Sequence, residues 1–195
     1  MLLFHWLQHV GVLGPYILLV LSALYLLNVT TLLTYFGVGS VVNLLINSLV
    51  KVLVKGSRPK KDLLVGDGLK YEFGLKTNDK TGVLERQGMD RYGMPSGHAQ
   101  TVAYALGFMG PVFSSCNSSC GSSSSCGSSS SYWLMLFLFV ALVTVVQRVA
   151  NHNHTICQVV VGLILGATCG QVAYRMAKKR IRGKLDEKED DWRFD

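Results

Sequence analysis

The sequence predicts an all-α, polytopic membrane protein, a bundle of about five spanning helices with four and six as the alternatives. Hydrophobic residues make up 49% of the 195 residues and charged residues only 16%, whereas about 25% is usual in soluble domains. The apolar residues also form long blocks, and a spanning helix needs about 20 such residues in succession. We therefore expect one membrane domain over residues 1–177, followed by a charged tail over residues 178–195.

The predicted spans follow one another along the chain. The first runs from about Val10 to Leu27 and the second from about Thr31 to Val54. The third, from about His98 to Phe113, has the weakest apolar composition. The fourth, YWLMLFLFVALVTVVQRVA, covers residues 132–150, and the fifth runs from about Thr155 to Ala173. Five spans place the two chain ends on opposite sides of the membrane.

Two connections between the spans are long. Residues 55–94 form a loop rich in charge and glycine, and residues 114–131 form a Ser/Gly/Cys-rich tract that is typical of a flexible linker. The basic cluster KKRIRGK at residues 178–184 belongs in the cytosol by the positive-inside rule. The loop then faces the lumen or the exterior, and we expect the endoplasmic reticulum or another endomembrane as the location.

The charge balance narrows the classes of partner. The formal net charge is +7, and a basic chain can bind nucleic acid, anionic lipid or phosphorylated substrates. No nucleic-acid motif is present and the basic residues lie beside apolar blocks, so the membrane and a phosphate group are the expected partners. Metal-ligand spacing is poor, and we expect no metal and no cofactor.

Three polar blocks lie at the ends of predicted spans. They are KVLVKGSRP at residues 51–59, PSGH at residues 95–98 and QRVANHNHTICQ at residues 147–158. Ionisable residues beside apolar spans are costly and are therefore candidates for function. With five spans, all three blocks meet at the same membrane face, which predicts an active site there.

The cations of these blocks suit a phosphate group. Lys51, Arg58 and Arg148 can neutralise a phosphate dianion and the charge on a transferring phosphoryl group. Ser96 and Gly97 precede a helix start, where backbone N–H groups point at an anion and glycine allows close approach. The blocks therefore predict a cradle for phosphate.

The two histidines of the blocks, His98 and His154, can divide the chemistry of phosphoryl transfer. One histidine attacks phosphorus and becomes phosphohistidine. The other protonates the leaving oxygen and later activates water.

The blocks resemble the three signature motifs of the type 2 phosphatidic acid phosphatase superfamily, over roughly residues 31–173. Those motifs are Lys-x6-Arg-Pro, Pro-Ser-Gly-His and Ser-Arg-x5-His-x3-Asp. The resemblance implies an integral membrane lipid phosphatase, a metal-independent hydrolase of phosphoric esters or anhydrides. It implies His154 as nucleophile and His98 as general acid and base. It also implies a phosphate cradle of Lys51, Arg58, Ser96, Gly97 and Arg148.

Two positions depart from the family pattern. Gln147 stands where the family has serine, and Gln158 stands where it has the aspartate that orients the nucleophile. The Gln158 amide oxygen can accept from the His154 ring but offers no negative charge. The strings MPSGHAQ and HTICQV are similar to the dolichyl-diphosphatase branch, which implies a polyisoprenyl diphosphate as substrate. The alternatives are a broad phosphatidate-type phosphatase and a catalytically silent protein that binds lipid phosphates.

Overall fold

The computed structural model describes residues 2–59, 75–77, 84–86, 91–119 and 124–191. The helices are α1 (Leu2–Tyr25), α2 (Thr30–Val54), α3 (Gly97–Ser119), α4 (Ser124–Ala150) and α5 (Ile156–Asp191). Two short antiparallel strands lie in the long loop, β1 (Leu75–Thr77) and β2 (Leu84–Arg86). The helical membrane bundle is confirmed, and the small hairpin is a feature that the sequence did not predict.

Four helices among the described residues are long and apolar enough to cross a membrane. The candidate spans are Gln8–Tyr25, Thr30–Val54, Ser131–Ala150 and Ile156–Gly183. Helix α3 forms where the third span was predicted, but it is not among these candidates. It packs against all four other helices and its side chains are mostly buried. A helix that is surrounded by protein needs less apolar surface than one that faces lipid, which explains its weak apolar signal.

Helices α3 and α5 lie in close contact along a glycine stripe. Gly162, Gly166 and Gly170 recur every fourth residue and therefore share one face of α5. A Cβ atom on Gly162 would lie 2.7 Å from a backbone oxygen of the residue that precedes α3. The three glycines face, in order, the carbonyl oxygens of Ser96, Gln100 and Tyr104. Because the contacted residues advance in the same direction along both helices, α3 and α5 run parallel and begin at the same end of the bundle.

Buried polar side chains join α2 to α3. Asn47 Nδ2 donates to Gln100 Oε1 at 2.7 Å, and Gln100 Nε2 donates to Asn43 Oδ1 at 2.9 Å. Farther along, the Tyr104 hydroxyl donates to the Phe36 carbonyl at 2.6 Å. Side-chain hydrogen bonds between helices are a common means of association in a membrane bundle. These bonds set the register of α2 against α3 and so place the last turn of α2 beside the start of α3.

Helices α3, α4 and α5 extend across the limits of the segments predicted from the sequence. Helix α3 extends to Ser119 and α4 begins at Ser124, so both helices enter the tract predicted as a flexible linker. The Ser114 and Ser115 hydroxyls bond to carbonyls four residues earlier in α3, which satisfies them within the helix. The predicted boundary between membrane domain and tail, at residue 178, lies inside α5.

The glycine stripe predicts a specific sensitivity to added methyl groups. Gly166→Ala should lower the free energy of unfolding by about 1–3 kcal/mol, because its Cβ would overlap the Gln100 backbone and push α3 from α5. The measurement is the Tm of the purified protein in detergent. Gly37→Ala on α2 is the matched control, because a Cβ at that position faces open space. Equal Tm values for the two variants would contradict the close packing.

Candidate active site

The three polar blocks of the sequence meet around one cavity of about 330 Å³. Six of the eight predicted site residues line it: Lys51, Arg58, Gly97, His98, Arg148 and His154. Ser96 and Gln158 lie just behind this lining, where the Ser96 N–H donates to the Gln158 carbonyl at 3.1 Å. The Ser96 hydroxyl is buried and makes no hydrogen bond to the described part of the chain. The structure therefore brings the predicted residues together at one end of the bundle.

Helix ends supply most of these side chains. Lys51 lies in the last turn of α2, which is capped by Lys55. That residue has a left-handed backbone (φ 48°), and its N–H donates to the Lys51 carbonyl. Arg148 lies in the last turn of α4, and His98 is the second residue of α3. Because α3 and α5 start at this end while α2 and α4 finish there, the four helices deliver their terminal residues to one place.

The His154 ring is held in one tautomer by two neighbours. Its Nδ1 atom lies 2.8 Å from the Gly93 carbonyl oxygen, which can only accept, so Nδ1 carries the hydrogen. Its Nε2 atom lies 3.3 Å from Arg58 Nη1, which can only donate, so Nε2 presents a lone pair. The Arg58 group also donates to the Asn153 carbonyl at 3.2 Å. The ring is thus oriented with an unprotonated nitrogen beside a cation.

The sequence led us to expect a hydrogen bond from the His154 ring to Gln158, but the amide of Gln158 bonds to other groups. Its Oε1 atom accepts from the Thr155 N–H at 3.1 Å, and its Nε2 atom donates to the Ser57 carbonyl at 2.6 Å. The acceptor for His154 is instead the main chain of Gly93. Gln158 itself packs against Gly93, where a Cβ would lie 2.8 Å from both Nε2 and Oε1 of Gln158.

Gln147 contacts the neighbouring cation. Gln147 Oε1 accepts from Arg148 Nε at 2.8 Å, while Gln147 Nε2 donates to Gln8 Oε1 on α1 at 3.2 Å. Asn151 Nδ2 donates to the same Gln8 oxygen at 2.7 Å. This amide cluster of Gln8, Gln147 and Asn151 ties α1 to the end of α4. Gln147 thereby orients the Arg148 guanidinium.

Sequence reasoning missed several residues that shape the site. Asn47 lines the cavity one helical turn before Lys51, and that spacing of four on α2 was the available signal. The Val12 carbonyl on α1 accepts a hydrogen bond from the His98 ring. Gly93 holds His154 in the same way. Contacts made by backbone carbonyls leave no trace in side-chain motifs, so neither could be read from the sequence.

Positive charge is concentrated at the site. Lys51, Arg58 and Arg148 are all buried, and a buried charge is costly in the absence of a compensating charge or hydrogen bonds. All 12 acidic residues of the chain fall within residues 62–90 or 186–195. Within the described residues, no group of three or more His, Cys, Asp or Glu side chains could hold a metal ion. The helical core thus supplies cations to the site and suits an anionic ligand.

The other end of the cavity is apolar. It is lined by Val12, Pro15, Tyr16, Leu19 and Leu44, which belong to α1 and α2. Tyr16 and Leu44 are 53% and 51% exposed, so the cavity reaches the outer surface of the bundle there. Helices α1 and α2 have few contacts with each other. We call this passage the α1–α2 groove, and it joins the cationic end of the cavity to the lipid-facing surface.

The family comparison agrees with the motifs. A family model described as the PAP2 superfamily matches residues 18–182. Neither a curated protein nor a solved structure matches the chain.

His154 lies in the turn between α4 and α5, and its environment predicts a pH effect on stability. Burial, followed by the charge of Arg58, lowers the pKa of His154 to about 2 from its ordinary value of 6.5. Below pH 6.5 the unfolded chain binds a proton at this site and the folded chain does not. The stabilisation by neutral His154 is therefore complete above pH 6.5 and is lost as the pH falls.

Between pH 7 and pH 5 this linkage should lower the free energy of unfolding by about 2 kcal/mol. His154→Gln should remove that loss, so its Tm should fall less than the wild-type Tm over the same pH range. His152→Asn, at an exposed position of the same turn with positive φ, is the matched control. Parallel Tm curves for wild type and His154→Gln would contradict the buried neutral ring.

Proposed function

The chain belongs to the PAP2 superfamily, whose members are phosphatases acting on phosphoric esters, and on this premise we propose that it removes the terminal phosphate of a polyisoprenyl diphosphate. The helices long enough to cross a membrane make it an integral membrane protein. The lipid substrate and the covalent route are the parts of this proposal that go beyond family membership.

The orientation of His154 is the observation that carries the proposal. Its Nε2 lone pair faces Arg58, and both residues line the same cavity as Lys51 and Arg148. An entering phosphate would take over the Arg58 contact and bring its phosphorus atom to this lone pair. Two arginines and a lysine around the equatorial oxygens stabilise the charge that develops during transfer.

The proposed hydrolysis proceeds in two steps. In the first, His154 Nε2 attacks the terminal phosphorus, the N–P bond forms, and the bond from phosphorus to the bridging oxygen breaks. His98 donates its proton to that oxygen, and the lipid monophosphate leaves. In the second, His98 removes a proton from water, which attacks phosphohistidine. Inorganic phosphate leaves and the His154 lone pair is restored.

A lipid diphosphate suits both ends of the cavity. The α1–α2 groove offers an apolar path from the phosphate cradle to the lipid-facing surface, where Tyr16 and Leu44 are half-exposed. A diphosphate carries about one more negative charge than a monophosphate, and three cations line the cavity. The likeness of MPSGHAQ and HTICQV to the dolichyl-diphosphatase branch favours a polyisoprenyl chain.

The two other candidate functions require different features of the site. A phosphatidate-type phosphatase needs the same cradle and histidines but no preference for a diphosphate. A silent protein that binds lipid phosphates is favoured by the amide at Gln158. It needs the cradle alone, because binding does not depend on the His154 lone pair.

We place the active site on the lumenal side of an endomembrane such as the endoplasmic reticulum. Helix α5 begins beside the site at Ile156 and rises about 33 Å to Lys178, which is about the thickness of a hydrocarbon core. The basic cluster at residues 178–184 therefore lies at the opposite face from His154. Lysine and arginine clusters favour the cytosolic face.

The enzymatic proposal is tested by phosphate release from phosphatidate, polyisoprenyl phosphate and polyisoprenyl diphosphate. The purified protein should release phosphate fastest from the diphosphate. His154→Ala should lower that rate at least about a thousandfold, because the nucleophile is lost. His152→Asn changes an exposed residue of the same turn and should leave the rate unchanged.

Each other outcome of this assay selects a different function. Equally low release by wild type and His154→Ala from all three lipids would leave the silent binding protein. Fastest release from phosphatidate would favour the broad lipid phosphatase.

The topology is tested by glycosylation in microsomes. The acceptor sequences at Asn28 and Asn117 lie on the cytosolic side in this orientation and should stay unmodified. An acceptor inserted within residues 78–83, in the long loop, should receive a glycan. A glycan on Asn117 would reverse the orientation.

A further inference from the structure

We propose that Gly93 and Gln158 are positioning residues for His154, in which the Gly93 carbonyl orients the ring and the Gln158 side chain holds that carbonyl in place. This inference rests on the proposed role of His154 as nucleophile. It assigns the orienting role to a neutral backbone group, and it gives the amide at position 158 a function that a carboxylate could not perform.

The contact between Gly93 and His154 is direct. The Gly93 oxygen accepts from His154 Nδ1 at 2.8 Å, and the ring is 4% exposed. The bond fixes both the tautomer and the rotation of the ring, because Nδ1 must stay protonated while Nε2 faces the cavity. A carbonyl does this without a negative charge. The ring therefore receives its orientation but no charged partner from this neighbour.

Gly93 itself is held by the segment that follows α2. The Gly93 N–H donates to the Gly56 carbonyl at 2.8 Å. The amide of Gln158 lies against the Gly93 Cα, so that a Cβ there would come within 2.8 Å of Nε2 and Oε1 and within 2.9 Å of Arg58 Cγ. The carbonyl that orients His154 is thus clamped between residue 56 on one side and the Gln158 amide on the other.

Gln158 joins all three blocks of the site. Its Nε2 donates to Ser57 in the first block, and its main-chain oxygen accepts from Ser96 in the second. Its Oε1 accepts from Thr155 within the third. The two ends of the amide therefore meet partners of opposite polarity: a carbonyl that needs a donor and an N–H that needs an acceptor.

The polarity of these partners decides which side chain fits at position 158. A carboxylate has only acceptor atoms, so Gln158→Glu would place a negative oxygen against the Ser57 carbonyl, and the shorter side chain of Gln158→Asp would lose the contact with Ser57. If Gln158 were a weakened substitute for an orienting aspartate, a carboxylate would restore the missing charge and raise the rate. If the Gln158 amide instead clamps the Gly93 carbonyl in place, a carboxylate at position 158 lowers the rate. We call this arrangement the clamp, and the direction of the rate change distinguishes the two explanations.

The kinetic test compares kcat and KM for phosphate release from polyisoprenyl diphosphate. Gln158→Glu and Gln158→Asp should each lower kcat about tenfold, with KM within about twofold, because the cradle residues are untouched. Gly93→Ala should also lower kcat, and it should change KM as well, because its Cβ would lie 2.9 Å from Cγ of Arg58 in the cradle. Cys157→Ser, an exposed neighbour of Gln158, is the control. A kcat at or above wild type in either carboxylate variant, or in Gly93→Ala, would overturn the clamp.

A second measurement determines the tautomer of the His154 ring and does not depend on catalysis. The chain has 5 histidines, so ¹⁵N-histidine labelling gives few signals, and His154→Ala identifies the one of interest. Wild type should show His154 protonated at Nδ1 alone, and Gln158→Glu should show a mixture of tautomers. An unchanged tautomer would overturn the clamp. A wild-type protein that releases no phosphate but shows these spectra would sink the proposed function and leave the clamp standing.

Discussion

Helices α3 and α5 approach each other so closely that their backbones touch, because glycine takes every fourth position along the shared face of α5. His98 follows the first residue of α3, and His154 lies two residues before α5 begins. The separation of the two histidines is therefore set by the distance between two helix axes. Side chains at the ends of rigid, closely packed helices keep their relative positions better than side chains on free loops.

Neutral contacts hold the reactive groups in place. Backbone carbonyls orient both histidines, and the amide of Gln147 orients Arg148. Lys51, Arg58 and Arg148 bring positive charge to the cavity, while all 12 acidic residues of the chain fall within residues 62–90 or 186–195. In the proposed function, these cations stabilise the phosphate group of an anionic substrate.

The sequence predicted the helices and the polar blocks well, because apolar length and charged side chains are direct signals. Six of the predicted residues line one cavity. This follows from those signals and from the order of the predicted spans, which places the three polar blocks at the same membrane face. The position of α3 at the centre of the bundle was not predicted. A helix that is surrounded by protein lacks the excess of apolar residues by which membrane spans are recognised in a sequence. Gly93 was not predicted either, because its role depends on a carbonyl and on packing against Gln158.

The α1–α2 groove is built apart from the α3–α5 contact. Its walls are the side chains of α1 and α2, and two of them are half-exposed, whereas the α3–α5 interface excludes even a methyl group along the glycine stripe. The two parts therefore differ in their freedom to change during evolution. For the proposed lipid substrate, substitutions on α1 and α2 can change the shape of the groove to suit a tail of another length or branching without disturbing the α3–α5 contact.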